Sequence, residues 1–406
     1  MILSQNRSDN LDFLNQTLPV SICYKRVVVR LKRLYLAALF LIVTGIFVAS
    51  NIYTFIPIYQ SISNAIQISV EHVVVGGSIF SFSYACGLLF FGPVSEKIGR
   101  KKVILLGLIL SFLATGLVGF SFNEHSLYLF RSLQGFALGS FPPVAFAYIF
   151  DVFPLRHRTL VLALINCGFL FAGILGQLIS SSFTYFYGWE YVFFCFAIIY
   201  LVLFICGMFI LPTVPIAKQA TAPLFQDLCK MIKNPSLVTC YIITFSILLT
   251  FISFYDGIGQ YLHEKYSIDQ QALFKIRAIG LIGASFSLLT GKFVRYLGDR
   301  QTLLIGLFLV AFSLSFLLFI NTPAMIAILS IPFIAAISLL YPSLISIIGK
   351  LGEEARGSAI SLYSFTLMTG GSFGALLSSV LDFPILLRSL IGLFVLNIIL
   401  SFKLKM

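Results

Sequence analysis

Twelve long apolar runs, separated by short charged connections, dominate this chain of 406 residues. A helix needs about 20 apolar residues to cross a bilayer core of about 30 Å. Each run has about that length, so the sequence predicts an all-α integral membrane protein with twelve transmembrane helices. The predicted spans are residues 34–58, 72–92, 102–121, 125–149, 158–184 and 190–211, followed by 236–261, 271–291, 302–320, 323–348, 356–381 and 384–403.

Composition and the placement of charge exclude other classes of protein. With 59% hydrophobic and only 10% charged residues, the chain is neither disordered nor an ordinary soluble protein. The net charge of +12 could suggest a nucleic-acid partner. However, most of the 27 Lys and Arg residues fall in the termini and in connections on one predicted side, the side that positive charge marks as cytoplasmic. The charge therefore predicts membrane topology, and no nucleic-acid partner is expected.

Both termini are predicted to lie on the cytoplasmic side of the cell (inner) membrane. No basic segment followed by a short apolar region and a cleavage site begins the chain, so a cleaved signal peptide is not expected. An even number of spans returns the chain to its starting side. The flanking basic residues, which can also contact anionic lipid, are Lys25, Arg26, Arg30, Lys32 and Arg33 before the first span and Lys403 and Lys405 after the last.

A charged segment with two glycines, residues 92–102, separates predicted spans 2 and 3. It reads Gly-Pro-Val-Ser-Glu-Lys-Ile-Gly-Arg-Lys-Lys and is predicted to be a cytoplasmic hinge loop. The pattern G-x-x-x-(D/E)-x-x-G-R-K resembles the loop between spans 2 and 3 of the major facilitator superfamily of secondary transporters. A weaker copy follows at residues 291–300, where Arg295 stands in place of the acid Glu96.

The residue types in this segment have separable physical roles. Gly92 and Gly99 allow close backbone approach or a turn with positive φ, and Glu96 suits the positive end of a helix. Arg100 can form a two-pronged pair with a carboxylate. The resemblance implies that Arg100 pairs with Asp151 at the end of span 4, and that Glu96 meets the start of span 11. In that family these contacts form a latch that keeps the inner side closed in the outward-open state.

The two halves of the chain repeat at a nearly constant offset. Arg158 and the glycines that follow it in span 5 match Arg356 and the glycines of span 11, 198 positions later. Such repeats are typical of transporters with a solute site between two bundles near the bilayer midplane. The predicted organisation is a cytoplasmic tail at 1–33, a six-helix bundle at 34–211, a cytoplasmic linker at 212–235 and a second, pseudo-symmetric bundle at 236–406.

Enzyme and cofactor motifs are missing from the sequence. A phosphate-binding loop would need other residues than Phe286 and Phe293. A zinc motif after His263 fails at Ser267, and no Gly-x-Ser-x-Gly segment occurs. The seven cysteines form no CxxC pair and are interpreted as small core residues. The sequence predicts a monomeric non-enzyme without cofactor or metal. A membrane enzyme or a transporter-like sensor is the alternative of another class.

Predicted span 4 carries the segment Arg131-x-x-Gln134-Gly135, which resembles a second signature of the superfamily. The three residues lie on one helical face, and a charge inside an apolar span costs about 2.5–3.5 kcal/mol. Arg131 is therefore predicted to face the bundle interior or a wet cavity, and the alternative is that it reaches the outer interface. Gly135 and Gly139 form a small-residue face that predicts close helix packing.

Predicted span 5 departs from the drug antiporters of the superfamily. Those proteins often carry G-P-x-x-G-G there, whereas residues 166–177 contain glycines and no proline. In this respect the chain resembles the Bcr/CflA-like and arabinose-efflux-like branches, whose short Gly-Trp turn is matched by Gly188 and Trp189. Trp189 is the sole tryptophan. It is interpreted as a marker of the outer interface, where tryptophans favour the headgroup level.

Few polar residues fall where a central cavity is expected. Besides Arg131 and Gln134, they are Asn51 and Tyr53 in span 1, Asn166 in span 5, Asp256 and Gln260 in span 7, and Arg277 in span 8. Asp256 is the one acid within an apolar run apart from the two signature acids, and loss of solvent would favour its neutral form, as proton exchange requires. The alternatives are a solvated position at the outer interface and pairing with Arg277.

The expected function is proton-coupled efflux of small organic compounds by an antiporter that works by alternating access. A Phe-rich lining suits amphipathic drugs, whereas Arg131 and Arg277 suit an anionic or zwitterionic metabolite, such as a metal-chelating siderophore-like compound. Proton-coupled import of a small solute is a further alternative. The expected partners are the small-molecule substrate, protons and membrane lipid.

Overall fold

The computed structural model of the protein describes residues 20–213, 226–268, 273, 275–276, 279–319, 322–402 and 404, and it shows no strand among them. In chain order the helices are α1 Val20–Tyr53, α2 Tyr59–Ile66, α3 Val70–Ile98, α4 Arg100–Gly119, α5 Glu124–Leu138, α6 Phe141–Val152, α7 Leu155–Phe186, α8 Trp189–Ile210, α9 Gln226–Lys233, α10 Pro235–Tyr266, α11 Thr290–Leu297, α12 Asp299–Leu317, α13 Pro323–Leu351, α14 Arg356–Val380 and α15 Phe383–Phe402. Short 3-10 segments occur at Ile56–Ile58, Leu281–Leu289 and Glu353–Ala355.

Eleven stretches of the described chain are long and apolar enough to cross a bilayer. Predicted span 8 is described only in part, as the 3-10 segment Leu281–Leu289 that continues into α11. Arg277 lies outside the described residues, as do linker residues 214–225 and the terminal lysines 403 and 405. The predicted all-helical membrane architecture is confirmed by the spans that are described.

The prediction of a hinge loop at residues 92–102 is wrong. α3 continues as a helix to Ile98, with Pro93 inside it, and α4 begins at Arg100. Gly99 alone makes the turn, at φ 99°, a conformation that a residue with a Cβ adopts only at a cost. The hinge is therefore a single residue, and the charged side chains around it are held on helices.

Two other predicted spans also differ from the structure. Predicted span 4 is divided, because α5 ends at Leu138 and α6 begins at Phe141 with Pro142 in its first turn. Proline fits the first turn of a helix but cannot continue the preceding one, since it lacks the backbone N–H. The first candidate span begins at Arg33, close to the predicted start, although its helix α1 begins earlier, at Val20. That helix ends at Tyr53, before the predicted end at residue 58.

α3 and α5 pack against each other at glycines. A Cβ added at Gly135 would lie 3.1 Å from the backbone nitrogen of Tyr84, and one added at Gly139 would lie 2.9 Å from Cα of Gly87. These separations leave no room for a side chain on either glycine. The close helix packing predicted from the glycine spacing is therefore confirmed.

Trp189, interpreted from the sequence as a marker of the outer interface, is buried within the protein. Its side chain is only 3% exposed, and its ring lies 6.0 Å from the ring of Phe193 inside the bundle. The exposed aromatic residues at this end precede it, at Tyr185, Phe186 and Tyr187. Because Trp189 is the first residue of α8, its place near the outer end of that span stays a prediction.

The first half of the molecule (α1–α8) contacts the second half (α10–α15) at the end that carries Gly99, which we call the charged end. There α3 packs on α14, and α7 packs on α11 and α13. Gly92 lies against Ser361 of α14. Gly349 of α13 lies against the ring of Phe150 of α6. The signature segment at residues 92–102 therefore lies at the contact between the halves.

Candidate functional site

Glu96 connects the two halves at the charged end. It lies in the last turn of α3, and its Oε1 accepts a hydrogen bond from the backbone N–H of Gly357. Its Oε2 accepts a bond of 3.2 Å from the hydroxyl of Ser358. These donors belong to the first turn of α14, which has no side-chain cap of its own. The carboxylate thus supplies the acceptor and the negative charge that the start of a helix favours.

Arg100, the first residue of α4, joins three elements of the first half. Its Nε lies 3.2 Å from Oδ2 of Asp151, and its Nη2 lies 3.6 Å from Oε1 of Glu96. Its Nη1 donates to the hydroxyl of Ser95 and, at 3.4 Å, to the carbonyl of Gly92. The side chain is only 10% exposed, so these interactions are largely shielded from solvent. One guanidinium therefore fixes the end of α3 relative to the end of α6.

Arg356 is a member of this cluster that the sequence did not reveal. Its Nη1 lies 3.2 Å from Oδ1 of Asp151, and its Nε donates to the carbonyl of Gly349 at 2.9 Å. Its guanidinium carbon lies 5.0 Å from the ring centre of Phe150. Asp151 therefore binds one arginine from each half. The repeat that matches Arg356 to Arg158 was the signal that could have identified it.

Gly92 lies where α3 meets the first turns of α14. A Cβ added there would overlap the hydroxyl of Ser361 and lie 2.5 Å from the carbonyl oxygen of Gly357. No larger residue fits while the two halves are in contact. The structure brings the whole predicted set together at the charged end, namely Gly92, Glu96, Gly99, Arg100 and Asp151.

The second repeat carries an ion pair at the matching positions, with its charges exchanged. Lys350 Nζ contacts Oδ2 of Asp299. These two residues lie 199 positions after Asp151 and Arg100, respectively, and the partners are 51 positions apart in both repeats. Arg295 occupies the position of the acid that joins the halves in the first repeat. The second repeat therefore keeps the ion pair between its own helices and loses the carboxylate at the contact.

The contact made by the second repeat is also less tightly packed. A Cβ added at Gly291, which matches Gly92, would lie 3.8 Å from the nearest backbone atom of Leu160. A cavity of about 140 Å³ lies between the halves here, lined among others by Arg158 and Lys350. Tight closure of the charged end therefore depends on the first repeat.

Arg131 is buried in the first half between two aromatic rings. Its guanidinium carbon lies 4.1 Å from the ring centres of both Phe55 and Phe80. Its Nη1 donates to Oε1 of Gln134 at 2.6 Å, and Nε2 of Gln134 donates to Oδ1 of Asn51 at 2.9 Å. Arg131 is only 1% exposed, so it faces the bundle interior and does not reach the outer interface.

A cavity of about 240 Å³ lies beside Arg131. It is formed by the end of α1 with the chain that follows it, by α3 and by Arg131 of α5, and its polar wall includes Tyr59, Ser78 and Ser81. Phe55 lines it as well as covering the guanidinium. The cavity thus combines one buried cation, several hydroxyls and an apolar surface.

Two of the predicted pathway residues are held by bonds inside the first half. Asn51, which is fully buried, donates from Nδ2 to the hydroxyl of Tyr200 as well as accepting from Gln134. Asn166 donates from Nδ2 to the carbonyl of Leu162 in its own helix at 2.8 Å. Neither lines the cavity beside Arg131. Both side chains are therefore hydrogen-bonded within the first half, and their role in a transport pathway stays a prediction.

The remaining predicted pathway residues lie apart from this cavity. Tyr53 packs beside Gly173 of α7. In α10, Asp256 is half-buried and Gln260 is exposed. Arg277, the predicted partner of Asp256, is outside the described residues. The structure thus joins Arg131, Gln134 and Asn51 into one network, and the residues of span 7 belong to the other half.

Repeated helical halves that meet at one end, with a polar cavity in one of them, define the class of multi-pass membrane transporters, whose substrates are small molecules. A family model described as the Major Facilitator Superfamily matches residues 39–375. The chain belongs to this superfamily. The predicted fold of two pseudo-symmetric six-helix bundles and the assignment as a non-enzyme are confirmed by this match and by similar solved structures.

Several known proteins similar to this chain are named as transporters or resistance proteins. It is 25% identical over 329 residues to the uncharacterized MFS-type transporter YwfA of Bacillus subtilis, an alignment that covers 79% of each chain. It is 26% identical over 266 residues to the bicyclomycin resistance protein homolog of Haemophilus influenzae, covering 62% of this chain and 65% of that protein. The human organic anion transporter MFSD10 has a similar structure, with a TM-score of 0.73 and 15% identity over 90% of this chain and 99% of that one.

Proposed function

We propose that this protein is a proton-coupled exporter of small organic compounds that works by alternating access in the inner membrane, with both termini in the cytoplasm. The similarity to a bicyclomycin resistance protein homolog supports the export direction and a place in the Bcr/CflA-like branch. The basic residues of the charged end support a cytoplasmic position for that end, because positively charged segments are retained there.

The cluster that joins the halves at the charged end carries the proposal. Glu96 accepts from the N–H of Gly357, and Asp151 holds Arg100 and Arg356, so these bonds exist together only while that end is closed. Such charge-assisted pairs contribute roughly a few kcal/mol at most once desolvation is counted. That amount is sufficient to shift the populations of a two-state carrier. The cluster is thus a latch that closes the cytoplasmic side and does not bind substrate.

Proton coupling is assigned to Asp256. Glu96 and Asp151 are engaged in the latch, so Asp256 is the acid within an apolar run that is left for this role. It is half-buried in α10, and an acid inside a span can change its protonation as its solvation changes during alternating access. A titratable carboxyl that is half-buried within a span supports the assignment of coupling to Asp256.

Accumulation measurements in cells test the proposed direction and energy source. A panel of labelled amphipathic compounds, beginning with bicyclomycin, would be given to cells that lack or overproduce the protein, with and without an uncoupler. Export predicts lower accumulation in the overproducing cells, and proton coupling predicts that the uncoupler removes the difference. Higher accumulation in the overproducing cells would show import instead, and a difference that survives the uncoupler would contradict proton coupling.

A further inference from the structure

We infer that the cavity beside Arg131 binds the carboxylate of a small organic anion with an apolar body. This inference rests on the proposed transport function, because it names the class of substrate that would be transported. It follows from the charge of the buried side chain, the chemistry of the cavity wall and the side of α3 on which the cavity lies.

The first observation is that the charge of Arg131 is not balanced by a neighbouring acid. None of the ion pairs formed by the described residues includes it. Its neighbours Gln134, Phe55 and Phe80 are neutral, and its Nε has no partner among the described residues. Contact with two rings offsets only part of the cost of burying a cation. A carboxylate that enters the cavity would supply the missing negative charge and the missing acceptor.

The second observation is the chemistry of the cavity wall. Hydroxyls of Tyr59, Ser78 and Ser81 lie on the polar side, and apolar side chains such as Ile52 and Val74 form the rest of the wall. This combination fits a molecule with one charged end and one apolar end. The volume of about 240 Å³ is below the range of about 300–1,000 Å³ that is typical of pockets for drug-sized ligands. The occupant is therefore a small aromatic or aliphatic monocarboxylate.

The third observation is the position of the cavity on α3. Val74 precedes Gly92 by 18 positions, which is about five turns of an α-helix, so both residues point the same way. Ser78 and Ser81 are close to this line. Gly92 contacts Ser361 of the second half. The cavity therefore lies on the face of α3 that is turned towards the second half, about 17–27 Å along the helix from Gly92.

Trp189 provides a natural reporter for this cavity. It is the sole tryptophan, and its ring lies 6.0 Å from that of Phe193. Phe193 lies 6.1 Å from Phe55, which covers the guanidinium of Arg131. Movement of Phe55 when an anion enters would change the packing around the indole. Intrinsic fluorescence should therefore follow binding without any added label.

The test is a fluorescence titration of the purified full-length protein with benzoate and with benzamide. The two probes have nearly the same shape, but only benzoate carries a charge. Benzoate should give a saturable change, and benzamide should bind at least about ten-fold more weakly, because a charge-assisted bond is lost. Arg131→Gln should weaken benzoate binding by at least about ten-fold. Arg388→Gln, which removes an exposed charge from α15, should leave benzoate binding unchanged.

A second pair of variants keeps the test valid if Arg131→Gln does not fold. Ser78→Phe fills the cavity and leaves Arg131 in place, so it should abolish the benzoate signal. Val75→Phe adds the same side chain at the next position of α3, which is exposed and does not line the cavity. That variant should bind benzoate like the unmodified protein.

Three results would overturn the inference: no saturable change with benzoate, equal binding of benzoate and benzamide, or benzoate binding that survives both Arg131→Gln and Ser78→Phe. Any of these, found together with reduced accumulation of bicyclomycin in overproducing cells, would reject the organic-anion cavity and leave the proposed exporter standing. Charge-selective benzoate binding without export would support the cavity and reject the direction of transport.

Discussion

Gly92 illustrates how the absence of one side chain permits a conformational state. Its backbone lies so close to Ser361 and Gly357 that a Cβ would overlap both residues. Overpacking of this kind costs about 1–3 kcal/mol. The cost falls on the state in which the charged end is closed, because only that state brings α3 and α14 together. A substitution here should therefore change transport more than folding.

Gly92→Ala is expected to lower the initial rate of transport by about ten-fold or more, since a bias of about 1.4 kcal/mol changes a population ten-fold. The thermal unfolding temperature should change little. Gly392→Ala is the matched control, because no atom of the described residues lies within 4 Å of the Cβ that it adds. Equal transport by the two variants would show that contact at Gly92 is not needed for the cycle.

Substitution of the single residue Asp256 tests whether it carries proton coupling. Asp256→Asn preserves the shape of the side chain and removes its ability to carry a proton. In proteoliposomes, this variant should still exchange substrate down its gradient but should not accumulate it against a gradient when a pH difference is imposed. Unchanged uphill transport would move the coupling role to Asp151 or to a mechanism without protons.

At the scale of elements, the exchanged ion pair of the second repeat fixes α12 to α13. Asp299 is the more buried partner, with 7% of its side chain exposed against 56% for Lys350. Removing the lysine would leave a largely buried carboxylate without its partner. Its loss should therefore cost more than the loss of an exposed surface pair.

Lys350→Asp is expected to lower the free energy of unfolding by about 1–3 kcal/mol. The exchanged double variant Asp299→Lys with Lys350→Asp should recover most of this loss, because it restores the arrangement of charge seen in the first repeat. Lys230→Asp, which faces Asp227 in an exposed pair, serves as the control and should cost less than about 1 kcal/mol. Thermal unfolding in the presence of lipid measures all three. A double variant no more stable than Lys350→Asp alone would contradict the matched arrangement.

The helices themselves could be predicted from the sequence, but several of their ends could not. Hydropathy falls at charged residues, whereas the backbone hydrogen bonds of a helix continue through them. α3 therefore includes Glu96 and Lys97 and ends only at Ile98, just before the turn at Gly99. The break between α5 and α6 also leaves the apolar pattern intact, so the run of hydrophobic residues did not reveal it.

In the candidate site, too, some features could be predicted from the sequence and others could not. The signature segment contains Glu96 and Arg100, and the resemblance to the superfamily allowed the pairing of Arg100 with Asp151 to be predicted across 51 positions. Arg356 and the pair of Asp299 with Lys350 depend on which helices become neighbours in three dimensions. That information was present only in the offset of about 199 positions between the repeats. The cavity beside Arg131 depends on the shape of the folded bundle and left no pattern in the sequence.

At the scale of the whole molecule, the two repeats contribute unequally to closure of the charged end. The first repeat supplies Glu96 at the start of α14 and the close contact at Gly92. The second repeat supplies Arg295 and a looser contact with a cavity. Opening of the charged end should therefore be controlled mainly by the latch of the first repeat, and weakening of that latch should open this end without unfolding either half.

A distance measurement across the charged end tests this central claim most directly. Spin labels at Ile98, in the last turn of α3, and at the exposed Glu354, just before α14, would be introduced into a cysteine-free variant in lipid nanodiscs. Pulsed electron paramagnetic resonance should show a main population at short distance in the otherwise unmodified protein. Arg100→Ala should move the main population to longer distance, whereas Arg388→Ala should not. An unchanged distance distribution in Arg100→Ala would contradict the latch.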